Sequence, residues 1–198
     1  MARPVSIPNE QILAAARQVF LKQGFSASTS AIARAAQVSE GMLFKRFGSK
    51  DELFHAALEI PLLDLSKELD GRVGRGDVRS NLEWAALELI NFFEELMPTV
   101  MTLWRKHAPN MKALWVGQED PQPVRILRDL TRYISAEVER GRLDGRVEPG
   151  VLARILVGST HHYAFLDQMG LQPPLGRDVY ARQLVDMVWR GITPREDT

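Results

Sequence analysis

The sequence predicts an all-α protein of about nine helices, arranged as a small N-terminal domain and a larger helical body. Apolar residues recur at three- and four-residue spacing with no strand-period alternation. Hydroxyl residues stand ahead of the early runs, as helix N-caps do, and glycine and proline fall between the later ones. Ser28 or Thr29 leads the run Ile32, Ala33, Ala36; Ser39 leads Leu43 and Phe47; Ser49 leads Lys50, Leu53 and Phe54. From Asp51 to about Leu69 the pattern reads as one long helix that Pro61 kinks or breaks. Gly71, Gly74 and Gly76 form a flexible joint, and Arg79 to His107 is an apolar-rich run divided by Pro98. Pro109 to Pro123 reads as a loop with at most a short helix. Val124 to Arg140 ends at Gly141, a good C′ residue; the next helix starts near Pro149 and stops at Gly170; the last spans Arg177 to Gly191.

The densest signal is Ser28 to Leu53. Only Gln37 and Val38 separate the first two of its helices, so these must cross steeply, as in a helix-turn-helix that offers its second helix to a major groove. With Ser39 as N-cap, Leu43 and Phe47 turn inward while Glu40, Gly41, Phe44 and Lys45 face out. Gly41 costs roughly 1 kcal/mol of helix stability against alanine, and close approach to a groove wall is one use for it. Arg46 and Lys50 flank the helix end within reach of phosphates, and the backbone N–H groups near Thr29 and Lys50 favour phosphate as well. The candidate DNA contacts are therefore Ser28, Thr29, Ser39, Glu40, Gly41, Met42, Phe44, Lys45, Arg46 and Lys50.

These residues, with Ile12, Ala15, Ala16, Phe20 and Gly24 before them, resemble the TetR family of bacterial transcriptional regulators. The resemblance runs from Gln11 to about Leu53, roughly a quarter of the chain. It implies that Ser28 or Thr29 binds phosphate, that the helix from Ser39 to Phe47 reads bases, and that Lys50 anchors the next helix to the DNA backbone. The sequence departs from the family pattern at three places. Gln37 stands where the turn usually has glycine, at a cost if its φ is positive. Phe44 replaces a common tyrosine, exchanging a phosphate contact for an apolar one with sugar or a thymine methyl. Met42 replaces a frequent threonine.

Composition bounds the remaining possibilities. The chain has 198 residues, enough for one or two domains, and no cysteine, which excludes a disulfide framework and thiolate chemistry. Its start, MARPVSIPNE, lacks the apolar core of a signal peptide, and no apolar run approaches membrane-spanning length; a soluble, cytoplasmic protein is expected. Net charge is zero, yet residues 1–55 carry seven Lys or Arg against four Asp or Glu, and residues 56–198 carry 18 against 21. The positive end is the end with the motif. The expected domains are a DNA-binding domain at 1–55 and an effector-binding and dimerisation domain at 56–198.

The run from Leu82 to Trp104 is apolar almost all round, as a central helix is. Phe93, Met97, Met101 and Trp104, with Trp115 and Phe165, can line an adaptable cavity or serve as solid core. The family resemblance favours a cavity, because in that family the body binds a small effector. On the last two helices, Leu152, Ile155, Gly158, Ser159 and His162 form a stripe with small residues at its centre, and Leu184, Val185 and Val188 add a similar face. Since one helix-turn-helix grips DNA poorly alone and family members pair through these helices, a homodimer is expected.

His161 and His162 are adjacent, so on a helix they diverge by about 100° and do not chelate one metal. The sequence contains no HExxH, P-loop, GxGxxG or GxSxG motif. A binding protein without cofactor or metal is expected rather than an enzyme. Its partners would be a palindromic double-stranded operator and a small apolar or amphipathic effector that releases it. The competing expectation is an effector-independent helical module for DNA architecture or protein interaction.

Overall fold

Glycine-type stops and hydroxyl or carboxylate starts divide this chain into helices. The structure, a computed structural model, describes residues 7–107, 115–171 and 175–192, which are helix and connecting turn with no strand among them. The described helices are α1 (Asn9–Gln23), α2 (Thr29–Ala35), α3 (Glu40–Phe47), α4 (Lys50–Leu58), α5 (Ser66–Arg72), α6 (Val78–His107), α7 (Gln122–Glu139), α8 (Pro149–Gln168) and α9 (Arg177–Ile192). Ser28, Ser39 and Ser49 are N-caps, accepting from the amides of Ala31, Met42 and Glu52. At Ser49 the Glu52 carboxylate also reaches back to the Ser49 amide at 2.7 Å, completing a capping box.

Four of the stops share one geometry. An amide two or three residues beyond the helix returns to a carbonyl five residues earlier: Val38 to Ala33, Ile60 to His55, Arg142 to Glu137 and Leu171 to Leu166, all at 3.0 Å. The pivot residue between must be left-handed. Gly141 and Gly170 meet this without strain, at φ 68° and 66°, whereas Gln37 and Glu59, both at φ 56°, adopt it as non-glycine residues.

Glu59 shows which of the two expected effects Pro61 has. The helix expected over residues 51–69 is broken rather than kinked, because Pro61 disfavours helical dihedrals at Ile60, and the chain leaves the helix at Glu59 and resumes at Ser66. Conversely, α6 continues through Pro98, the residue that divides this run in the sequence pattern. The proline ring lies on an exposed side, so the cost is one missing amide donor within a 30-residue helix. The helix expected from Val124 starts at Gln122, with Pro123 taken into its first turn. Residues 109–114 of the expected loop, and Pro173 and Pro174, lie outside the described residues.

Contacts divide the chain into two compact units, one holding the chain up to Pro61 with residues 99–121, the other holding residues 62–98 and everything from Gln122. In the first, Phe20 and Phe25 meet Phe54 edge-on with centroids 5.1 and 5.3 Å away, and Ile12, Ala16, Ile32 and Leu43 fill in around them. Arg17 donates to the Ala57 carbonyl at 2.6 Å and pairs with Glu59 at 2.5 Å, satisfying an orphan carbonyl at the end of α4. In the second unit α7 packs on α5 and α8, and α9 on α8. A polar network crosses its core. Asn81 donates to Tyr133 Oη at 3.0 Å, and Glu137, fully buried, accepts from the Gly74 amide at 2.8 Å and pairs with Arg142 at 3.1 Å. Burial pushes the Tyr133 hydroxyl up to about 12, so it remains a neutral hydrogen-bonding group.

Candidate nucleic-acid interface

The short α2–α3 connection places α3 across α2 with one face against the core. Leu43 is buried there, and Glu40, Gly41, Met42, Phe44 and Lys45 are exposed. Phe44 is 43% and Met42 38% exposed, two large apolar side chains turned outward on one short helix. A Cβ built on Gly41 would meet nothing within 4 Å, and Gly41 is not among the residues with positive φ. The folded chain therefore requires glycine here neither for conformation nor for packing.

Of the two candidate caps, Ser28 is the one that caps α2, and it also exchanges a hydrogen bond with Ser30 at 3.0 Å. Thr29 is the first helical residue, and its hydroxyl donates to the Glu40 carboxylate. Nothing in the local sequence signals this pair. The first residue of α3 is thereby tied to the first residue of α2, and a carboxylate engages the hydroxyl that the sequence pattern assigns to phosphate.

The basic residues divide by environment. Lys45 is exposed on α3. Lys50 opens α4 with its ammonium 4.5 Å above the Phe25 ring, and partial burial holds its pKa below the usual lysine value. Arg46 turns back to the segment before α1, donating to the Ile7 carbonyl and, at 3.2 Å, to Asn9 Oδ1. The guanidinium thereby ties α3 to the start of α1 and the residue before it.

The body residues singled out from the sequence are spread over several surroundings. Phe93 is buried, edge-on to His161 at 5.2 Å, and Met97 is buried. Met101 is half-buried and Trp104 is 60% exposed. Trp115 packs on Phe54, with centroids 6.3 Å apart, inside the first unit, and Phe165 stacks on His162. On the last two helices Ile155, Gly158 and His162 are exposed, Ser159, Leu184 and Val188 are half-buried, and Leu152 and Val185 are buried. Leu152 and Val185 therefore belong to the protomer's own core. A stripe wide enough for two contacts cannot reveal from sequence which edge faces inward. The Ser159 carbonyl accepts from Tyr180 Oη at 3.2 Å, joining α8 to α9.

A capped α2, a tight left-handed turn and an exposed, glycine-bearing α3 define a helix-turn-helix protein. Residues 12–57 match the model for bacterial regulatory proteins of the tetR family. The whole chain shares its fold with the secondary repressor of the MexAB-OprM multidrug efflux pump in Pseudomonas aeruginosa, NalD, at 21% identity and TM-score 0.52, over 93% of this chain and 96% of that one. A TetR transcriptional regulator from Agrobacterium tumefaciens is similar at 19% identity and TM-score 0.51, over 93% and 94%. The family match thus covers the helix-turn-helix segment, and the rest of the chain shares the fold of these regulators. None of its described helices is long and apolar enough to cross a membrane.

Proposed function

We propose that this protein is a ligand-responsive repressor that binds a palindromic operator as a homodimer and is released by a small effector. Residues 1–55 would supply the DNA contact and residues 56–198 the effector site and dimer contact, with no catalytic role. The observation that carries the DNA half is the outer face of α3. Gly41 has open space above its Cα and is flanked by outward Met42, Phe44 and Lys45, a surface with no intramolecular purpose. Lys45 would contact phosphate, Phe44 and Met42 thymine methyls or sugar, and Glu40 base edges. Ser28, Thr29, Ser39 and Lys50 would line the phosphate side. For the effector half, Phe93, Met97 and Phe165 would supply adaptable apolar surface in the second unit. An effector that favours a body conformation with wrongly spaced recognition helices would lower DNA affinity by its differential affinity for the two states.

Selection of bound sequences from a random duplex pool tests this reading. An inverted repeat with half-site centres about one helical turn apart, ~34–36 Å or slightly more, is expected. Lys45→Ala should weaken binding to all sequences and lower the salt slope by about one. Recovery of direct repeats alone, or no enrichment, would refute it.

A further inference from the structure

Away from α3, the second unit carries a cleft of about 550 Å³ between the segment 62–70 and α7. Arg125, Arg128 and Arg132 recur along the α7 wall at intervals of three and four, so one helix face aims three guanidinium groups into it. Asp129 lies among them, 2% exposed, and its Oδ1 makes no hydrogen bond although Arg132 and Arg128 approach to 3.3 and 3.7 Å. The opposite wall supplies two more carboxylates, both engaged. Asp64 accepts from the Ser66 amide at 2.9 Å and hydroxyl at 2.6 Å, and Asp70 pairs with Arg132 at 3.1 Å. Burial raises the Asp129 carboxyl from its usual range, outweighing the neighbouring arginines. An adjoining groove shares Arg128 and Arg132 and adds Arg154 with no further acid. Apolar surface borders both, with Leu62 58% and Val124 55% exposed.

Three arginines in a row on one helix face, around a buried carboxyl whose Oδ1 makes no hydrogen bond, at the base of an open cleft with apolar rims, are a costly arrangement for a protein that only needs to fold. We propose that this cleft is an oxyanion site for an amphipathic organic acid: Arg125 and Arg128 hold the anionic head, and Leu62 and Val124 receive the apolar part. Guanidinium forks suit planar carboxylates and phosphate monoesters alike, so the shared chemistry is the oxyanion. The cleft shares no residue with the Phe93, Met97 and Phe165 surface, so the inference goes beyond the proposed function and is independent of its DNA half.

Titration calorimetry of the intact chain with octanoate, octyl phosphate and octanol tests it, with operator affinity measured in parallel. At least one octyl anion should bind while octanol does not, and whichever binds tighter identifies the head group. Arg125→Gln with Arg128→Gln should weaken that anion at least tenfold and leave ligand-free operator affinity unchanged. Asp129→Asn, which takes the carboxylate's negative charge away from the arginines, should tighten the anion several-fold, and no tightening would overturn the placement of the head group beside it. The proposal is overturned if neither anion binds, if octanol binds equally well, or if the double arginine variant retains wild-type anion affinity. Failure of the wild type to bind any operator would refute the DNA reading alone, because anion binding is measured without DNA.

Discussion

Gln37 shows how one residue's conformation sets a functional geometry. It occupies the left-handed pivot of the α2–α3 turn at φ 56°, where an L side chain costs ~1–2 kcal/mol. Replacing it with glycine removes that strain but adds unfolded-state entropy worth about 0.4–1 kcal/mol. Gln37→Gly should therefore stabilise the protein by roughly 0.5–1 kcal/mol without altering operator affinity, measured by urea denaturation and fluorescence anisotropy; a loss of stability would mean that the Gln37 side chain contributes something the turn geometry conceals. Glu40 poses a different question, because Thr29 already engages its carboxylate at the surface assigned to DNA. A carboxylate in a major groove accepts from cytosine N4 and repels phosphate. Glu40→Gln should relax a cytosine preference at one half-site position toward adenine, a change worth about 1–3 kcal/mol of discrimination. An unchanged selected sequence would reduce Glu40 to a tether between α2 and α3.

Helix ends explain much of what could be read from sequence. Ser28, Ser39 and Ser49 act through the amides three residues ahead, and Gly141 and Gly170 act through their own dihedrals, so local sequence names their roles. Local sequence fails where the deciding partner is distant. Arg46 lies 39 positions from the Ile7 carbonyl it serves, and Glu137 lies 63 from the Gly74 amide, so neither pairing leaves a periodic trace. In the candidate sites the outward face of α3 followed from spacing, whereas the Thr29–Glu40 pair and the buried faces of Leu152 and Val185 required the fold. The start of α6 offers a test at this scale. Asp77 accepts from the Ser80 hydroxyl at 2.7 Å and the Ser80 amide at 2.8 Å, and these bonds hold its carboxyl below the usual aspartate value. A pKa depressed by folding contributes stability above the unfolded value, and that contribution fades as pH falls through the folded one. Asp77→Ala should cost about 1 kcal/mol at neutral pH, the worth of an N-cap. The gap between wild type and variant should narrow only in acid, below about pH 4; a gap that is constant from neutral to acidic pH would remove the cap from the explanation.

Across the whole molecule the charge excess and the exposed apolar surface fall in different regions. The N-terminal 55 residues carry the positive excess of three, and the body carries an equal negative one. The last two helices leave Val151, Ile155, Val179 and Met187 exposed, Met187 at 80%. An excess of three is too small to hold one helix-turn-helix firmly at physiological salt, because each neutralised phosphate adds only one unit to the salt dependence. Under the proposed function, affinity comes from two α3 helices acting together, with pairing through α8 and α9. Gly158 is the position at which to break that pairing. It is exposed, and a Cβ there meets nothing within 4 Å, so a larger residue has room within the protomer and glycine is a poor helix former in any case. Gly158→Glu should leave the protomer folded, with unchanged helicity by circular dichroism, while placing like charges face to face at a two-fold contact. Sedimentation should then show a monomer where the wild type is a dimer at micromolar concentration. Operator affinity should fall at least ~100-fold, the usual return from joining two weak contacts, while affinity for an isolated half-site stays the same. A variant that remains dimeric with full operator affinity would place the pairing surface elsewhere on the body, and a wild type that sediments as a monomer yet binds tightly would show that one α3 suffices.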